Sequence, residues 1–78
     1  MDSKQSRAAR GLLKWSQRQL AEASGVALST VADFESDKRG PRPDNLAAMR
    51  AAFEKAGVEL IPARNSKGVG VRFREDSE

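Results

Sequence analysis

The chain has 78 residues, 14 lysines and arginines against 11 aspartates and glutamates, and neither cysteine nor histidine. Without thiols there is no disulfide framework, no thiolate metal site and no thiol nucleophile; without imidazole an enzyme would have to work with Asp, Glu, Ser or Lys alone. Such a length fits one domain that buries roughly 60% of its unfolded surface, near the lower limit for a self-sufficient core, which suggests help from a partner subunit. The net charge of +3 is uneven, with Lys4, Arg7, Arg10, Lys14 and Arg18 near the beginning and Lys38, Arg39 and Arg42 mid-chain. Clustered base of this kind favours a polyanion. The opening MDSKQSRAARGLL lacks the apolar core of a signal peptide, and no run approaches the about 20 apolar residues that span a bilayer. The expectation is a soluble cytoplasmic protein with no membrane partner.

In chain order, the first helix is predicted from about Ser3 to Lys14, with Ala9, Leu12 and Leu13 toward one side and Trp15 closing it as a core residue. Ser16 reads as an N-cap because Gln19, three residues on, can return the hydrogen bond as a capping box. A second helix then starts at about Gln17, carries Leu20, Ala21 and Ala23, and stops at Gly25, where glycine tolerates a left-handed conformation. The third runs from about Leu28 to Ser36. DKRGPRP must be a loop, since its glycine and prolines interrupt any helix. Asp44 is the expected cap of a fourth helix with a stripe of Leu46, Met49, Phe53 and Ala56, ended by Gly57.

After Gly57 the period changes to two. Val58 and Leu60 alternate with Glu59, and Val69, Val71 and Phe73 alternate with Gly70, Arg72 and Arg74, with the turn chemistry of RNSKG between. This predicts a β-hairpin over 58–74 and a short acidic tail over 75–78. Arg72 and Arg74 read as a solvated sheet face. KGVGV lacks the spacing and following helix of a phosphate-binding loop, and neither a cofactor nor a metal is expected.

The informative stretch is SQRQLAEASGVALSTVADFESDKR. A short helix, a tight turn bearing Gly25, an apolar Val26 and a second short helix with few apolar positions describe a helix-turn-helix. Val31 and Phe34 would anchor the second of these helices. Its other face, with Leu28, Ser29, Thr30, Ala32 and Asp33, is then free to enter a major groove, where hydroxyls exchange hydrogen bonds with bases and a carboxylate accepts from cytosine N4.

The run WSQRQLAEASGVALSTVADFESDKRGPRP followed by LAAMRAAFEKAG resembles the Cro/phage-repressor type of helix-turn-helix, the Xre family, over about Arg10 to Gly57. The resemblance implies a mainly α fold: a four-helix lambda-repressor-like domain over 1–57, to which this chain adds its hairpin. It implies base reading by Leu28, Ser29 and Asp33, with Thr30 nearer the backbone. Phosphate contacts would come from Gln17 and the adjoining Ser16 and Arg18 at the start of the second helix, and from the loop carrying Lys38, Arg39 and Arg42. Arg10 and Glu35 resemble a pair that ties the first helix to the end of the recognition helix. Two positions depart from the family pattern: Ala27 stands where Ser or Thr often caps the recognition helix, and Asp37 replaces the usual glycine after it.

The leading expectation is a sequence-specific regulator of double-stranded DNA, a repressor acting as a homodimer on a palindromic operator. The alternative is a protein-binding adaptor, since antitoxin members of the family also bind and neutralise a partner protein; a docking face of that kind would want exposed aromatics or Met. For the dimer the hairpin is the expected element. Val58, Leu60, Val69, Val71 and Phe73 must bury against something, either the chain's own helices or the same hairpin of a second subunit. Pairing between subunits is preferred because two half-sites lie about one helical turn, roughly 34 Å, apart.

Overall fold

The computed structural model describes residues 1–75 of the chain. Four helices, α1 (Ser3–Leu13), α2 (Gln17–Ser24), α3 (Leu28–Glu35) and α4 (Pro43–Lys55), precede an antiparallel hairpin of β1 (Val58–Ile61) and β2 (Gly70–Phe73). Beyond Glu75, the acidic tail lies outside the described residues. Leu20, Val31, Met49, Phe53 and Val58 are fully enclosed at the centre, so every element except α1 and β2 supplies a large core side chain. Trp15 lies against this core and stacks on Phe53 with ring centroids 5.9 Å apart, an arrangement favourable beyond its area alone.

Local signals explain most helix ends. Ser16 Oγ accepts from Gln19 N–H at 3.0 Å while Gln19 Oε1 accepts from Ser16 N–H at 2.7 Å, which satisfies two amides that the first turn cannot bond internally. Asp2 and Gln5 form the same box at the start of α1. Gly25 ends α2 with φ of 75° and Gly57 follows α4 with φ of 98°. At α4 the expectation of an Asp44 cap is corrected: Arg42 is the capping residue, Pro43 opens the helix and Asp44 sits in its first turn. Proline prevails there because the first helical position has no use for an N–H and needs the φ that the ring imposes.

The buried face of α1 also differs from its apolar reading. Leu12 is exposed, and Ser3, Gln5, Ser6 and Ala9 face inward. Each polar side chain among these has a partner: Ser3 Oγ donates to Asp37 Oδ1 at 2.7 Å, Ser6 Oγ to Glu35 Oε2 at 2.5 Å, and Gln5 Nε2 to the carbonyls of Ile61 and Gly70 at 3.0 and 3.1 Å. Helix α1 is thus attached to the rest largely by hydrogen bonds, which stay worthwhile in a dry interior only when all are satisfied.

The hairpin folds onto its own chain. Val58 pairs with Phe73 and Leu60 with Val71, and on the inner face Val58 and Leu60 join the core while Val71 and Phe73 pack against it. Val58 and Leu60 are buried by α4 and the rest of the core, since a two-stranded ribbon needs an apolar host and its own helical domain is one. Eight residues separate the strands where the sequence suggests a loop of five or slightly more, and within them Arg64 and Lys67 bridge a tight turn with Asn65 and Ser66 both at positive φ. Val69 lies just outside β2 and is 41% exposed.

Candidate nucleic-acid interface

Between α2 and α3 the chain turns at left-handed Gly25, and Val26 is buried beneath the turn. The register of α3 follows from its inner face. Val31, Phe34 and Glu35 are buried, so Ser29 and Asp33, four residues apart, occupy the centre of the opposite side. Ser29 is exposed and Asp33 half-buried, with Leu28, 36% exposed, on one flank and half-buried Thr30 on the other. Ser29 and Asp33 thus lie in the middle of the outward side, with Leu28 and Thr30 at its borders with the buried face. No side chain caps α3 at Ala27, which leaves its first amides facing outward with Leu28 and Ser29.

Besides the packing of Val31 and Phe34, a polar cluster around Glu35 holds this helix in place. Arg10 grips its carboxylate from α1, with Nη2 at 2.6 Å from Oε1 and Nε at 3.0 Å from both oxygens. Ser6 donates from the same helix, and Gln17 Nε2 donates from α2 at 3.1 Å. Arg10 Nη1 also bonds the carbonyl of Trp15 at 3.0 Å, and Arg7 bonds the carbonyl of Glu35. The Glu35 side chain is 1% exposed and that of Arg10 19%. Burial alone pushes the Glu35 carboxyl up; the hydrogen bonds from Arg10, Ser6 and Gln17, with the charge of Arg10, outweigh it and hold the group below its ordinary value. One carboxylate thereby joins three helices and fixes the angle at which α3 stands out.

Gln17, expected on a phosphate, uses its amide N–H on this carboxylate and keeps its carbonyl oxygen free. Ser16 is exposed but its hydroxyl serves as the α2 cap. Arg18 is exposed on α2, and together with Gly25, Ala27 and Leu28 it lines a shallow concavity beside the start of α3. At the other end, Asp37 takes φ of 62° in place of a glycine, with its carboxylate tied to Ser3. That turn lets the amides of Lys38 and Arg39 return to the carbonyl of Asp33 at 2.9 and 3.3 Å. Lys38, Arg39 and Arg42 project from the loop, all exposed and, among the described residues, without an acidic partner. Cations thus stand at both ends of a hydroxyl- and carboxylate-bearing face.

Sequence reasoning missed Ser3, Gln5 and Ser6. The signal was present: Ser3, Ser6, Arg7 and Arg10 recur at helical spacing, a polar stripe where an apolar one would normally face the core. Among the described residues no cluster of acidic side chains could hold a metal ion, and no helix is long and apolar enough to cross a membrane.

A family model described as helix-turn-helix matches residues 7–60, more than half of the chain. The match takes in the Arg10–Glu35 pair, α2 to α4 and all but the last residue of β1, and ends before β2. No curated protein matches the chain.

Proposed function

Because the chain belongs to the Xre-type helix-turn-helix family of DNA-binding regulators, we propose that it is a sequence-specific repressor that binds a palindromic operator as a dimer. The observation that carries this reading is the outward side of α3. It carries exposed Leu28 and Ser29 and half-buried Thr30 and Asp33, while Val31, Phe34 and Glu35 hold its back. Ser29 and Asp33 read base edges, and small residues near the helix start let the backbone approach the groove. Arg18, with Lys38, Arg39 and Arg42, neutralises phosphates at the two ends of the helix. Ser16 and Gln17 support the same contacts from the start of α2. A dimer supplies the second half-site that a reading face this small needs for useful affinity. No exposed aromatic or Met lies on the face, which favours DNA over a protein partner there.

The test is selection of bound sequences from random duplexes, followed by affinity measurements over a range of salt. Arg39→Ala is expected to weaken binding to every duplex and to reduce the salt slope by about 1. Ser29→Ala and Asp33→Ala are expected to change which base is preferred, each at about 1–3 kcal/mol of discrimination. If all three variants lose affinity uniformly, this division of roles is wrong.

A further inference from the structure

Polar side chains of α1 reach the far end of α3 from successive turns. Arg10 and Ser6 hold the Glu35 carboxylate, Arg7 holds the Glu35 carbonyl, and Ser3, the first residue of α1, donates to Asp37 Oδ1 at 2.7 Å. That last contact lies beyond α3, which ends at Glu35, and acts on the loop that carries Lys38 and Arg39.

Asp37 is an unfavourable residue for such a loop on local grounds. Its φ of 62° strains any residue with a Cβ, and its negative charge stands directly before two cations proposed to meet phosphates. Glycine would incur neither cost. Two features offset them. Ser3 is buried, so its hydroxyl is held against the carboxylate in a charge-assisted bond. Helix α1 also has no acid in its first turn, so Asp37 supplies negative charge at the positive end of that helix. The turn at Asp37 then returns the amides of Lys38 and Arg39 to the Asp33 carbonyl. Farther along, beyond Gly40, Arg42 is held by a different device, the rings of Pro41 and Pro43, and Arg18 stands apart on α2.

We infer that the bond from Ser3 to Asp37 is a latch that positions Lys38 and Arg39 for phosphate contact, so that this part of the loop is ordered before DNA binds. The inference rests on the DNA-binding reading above and makes Ser3 and Asp37 positioning residues. Preorganisation of this kind raises affinity by moving an ordering cost from binding to folding. Because phosphates carry no sequence information, it acts on all duplexes alike.

Ser3→Ala is expected to weaken binding of the selected duplex on the order of ten-fold, the factor that corresponds to ordering about one more backbone residue on binding, with base preference unchanged. A general loosening of the fold would add equally to every other defect. The latch predicts instead that Ser3→Ala keeps its full factor in an Arg18→Ala background and has a much smaller one in an Arg39→Ala background. Asp37→Gly separates the latch from local effects by sign. It relieves the backbone and removes a negative charge near phosphates, both of which favour tighter binding, whereas loss of the latch weakens it. Tighter binding by Asp37→Gly, or an equal factor for Ser3→Ala in the two backgrounds, overturns the proposal. Amide exchange at Lys38 and Arg39, measured without DNA, is expected to quicken in Ser3→Ala. If it quickens and the parent selects no duplex, the DNA reading fails and takes the phosphate role of the loop with it. If the parent selects its duplex and Ser3→Ala matches it in exchange and affinity, the latch fails and the DNA reading stands.

Discussion

Arg10 meets Glu35 at 2.6 Å between α1 and α3, and Arg72 meets Glu59 at 2.9 Å across the hairpin. The chemistry of the two pairs is the same. Their surroundings are not: the side chains of the first pair are 19% and 1% exposed, those of the second 66% and 42%. Both carboxyls titrate below their ordinary value, but for different reasons. In Glu59 the hydrogen bond and charge of Arg72 act almost unopposed, whereas in Glu35 they act against burial with help from Ser6 and Gln17. The comparison teaches that burial sets the worth of an ion pair. Water competes for an exposed pair and can replace either partner, while a buried carboxylate that loses one partner has nothing to replace it. The buried pair also has a functional consequence, since it orients the helix proposed to read DNA.

The strongest way to break the comparison is to remove one buried partner. Arg10→Met leaves the Glu35 carboxylate with only Ser6 and Gln17, and the expected loss is about 3 kcal/mol or more. In a domain of this size that lowers the melting temperature on the order of 10 °C, measurable by circular dichroism. An unchanged melting temperature would place this pair in the same class as the one on the hairpin.

Acid sharpens the same contrast. Folded Glu35 holds its proton less tightly than the unfolded group, whose ordinary value is 4.5. Its stabilisation is therefore fully present above that value and is lost as pH falls below 4.5 through the folded value, because the unfolded chain takes up the proton first. Urea melts from pH 6 downward are expected to show this decline in the parent and a shallower one in Glu35→Gln, which cannot be protonated. Equal slopes in the two proteins would assign the acid sensitivity to other carboxylates.

The smallest effect is expected at the hairpin. Arg72→Gln removes an ion pair that water already contests, and the melting temperature should stay within measurement error of the parent. A clear drop would mean that the hairpin surface is shielded to a degree the isolated chain does not show, as by a neighbouring subunit.

Local chemistry made much of the fold legible. Ser16 with Gln19, left-handed Gly25 and Gly57, and the switch to alternation after Gly57 each act over a few residues, so their spacing alone carries the information. Where two local signals compete, as at Pro43 and Asp44, the proline sets the start of the helix and the acid falls inside its first turn. On α1 the apolar pattern misled because Leu12 looks like a core residue in any helix, and only the presence of Asp37, Glu35 and the hairpin carbonyls beside this helix makes a polar face the better one to bury.

The sequence by itself determined the helix-turn-helix, its outward residues Ser29 and Asp33, and the family, because periodicity, caps and turn residues are properties of neighbours along the chain. Tertiary structure alone decided that Gln17 and Ser6 join Arg10 on one carboxylate, that Asp37 takes over a left-handed position with Ser3 on its side chain, and that Val58 and Leu60 turn into their own core. Each of those choices depends on which groups from distant segments share one low-dielectric interior, where a hydrogen bond is strengthened and an unpaired polar group is penalised. No spacing along a single helix or strand encodes that company.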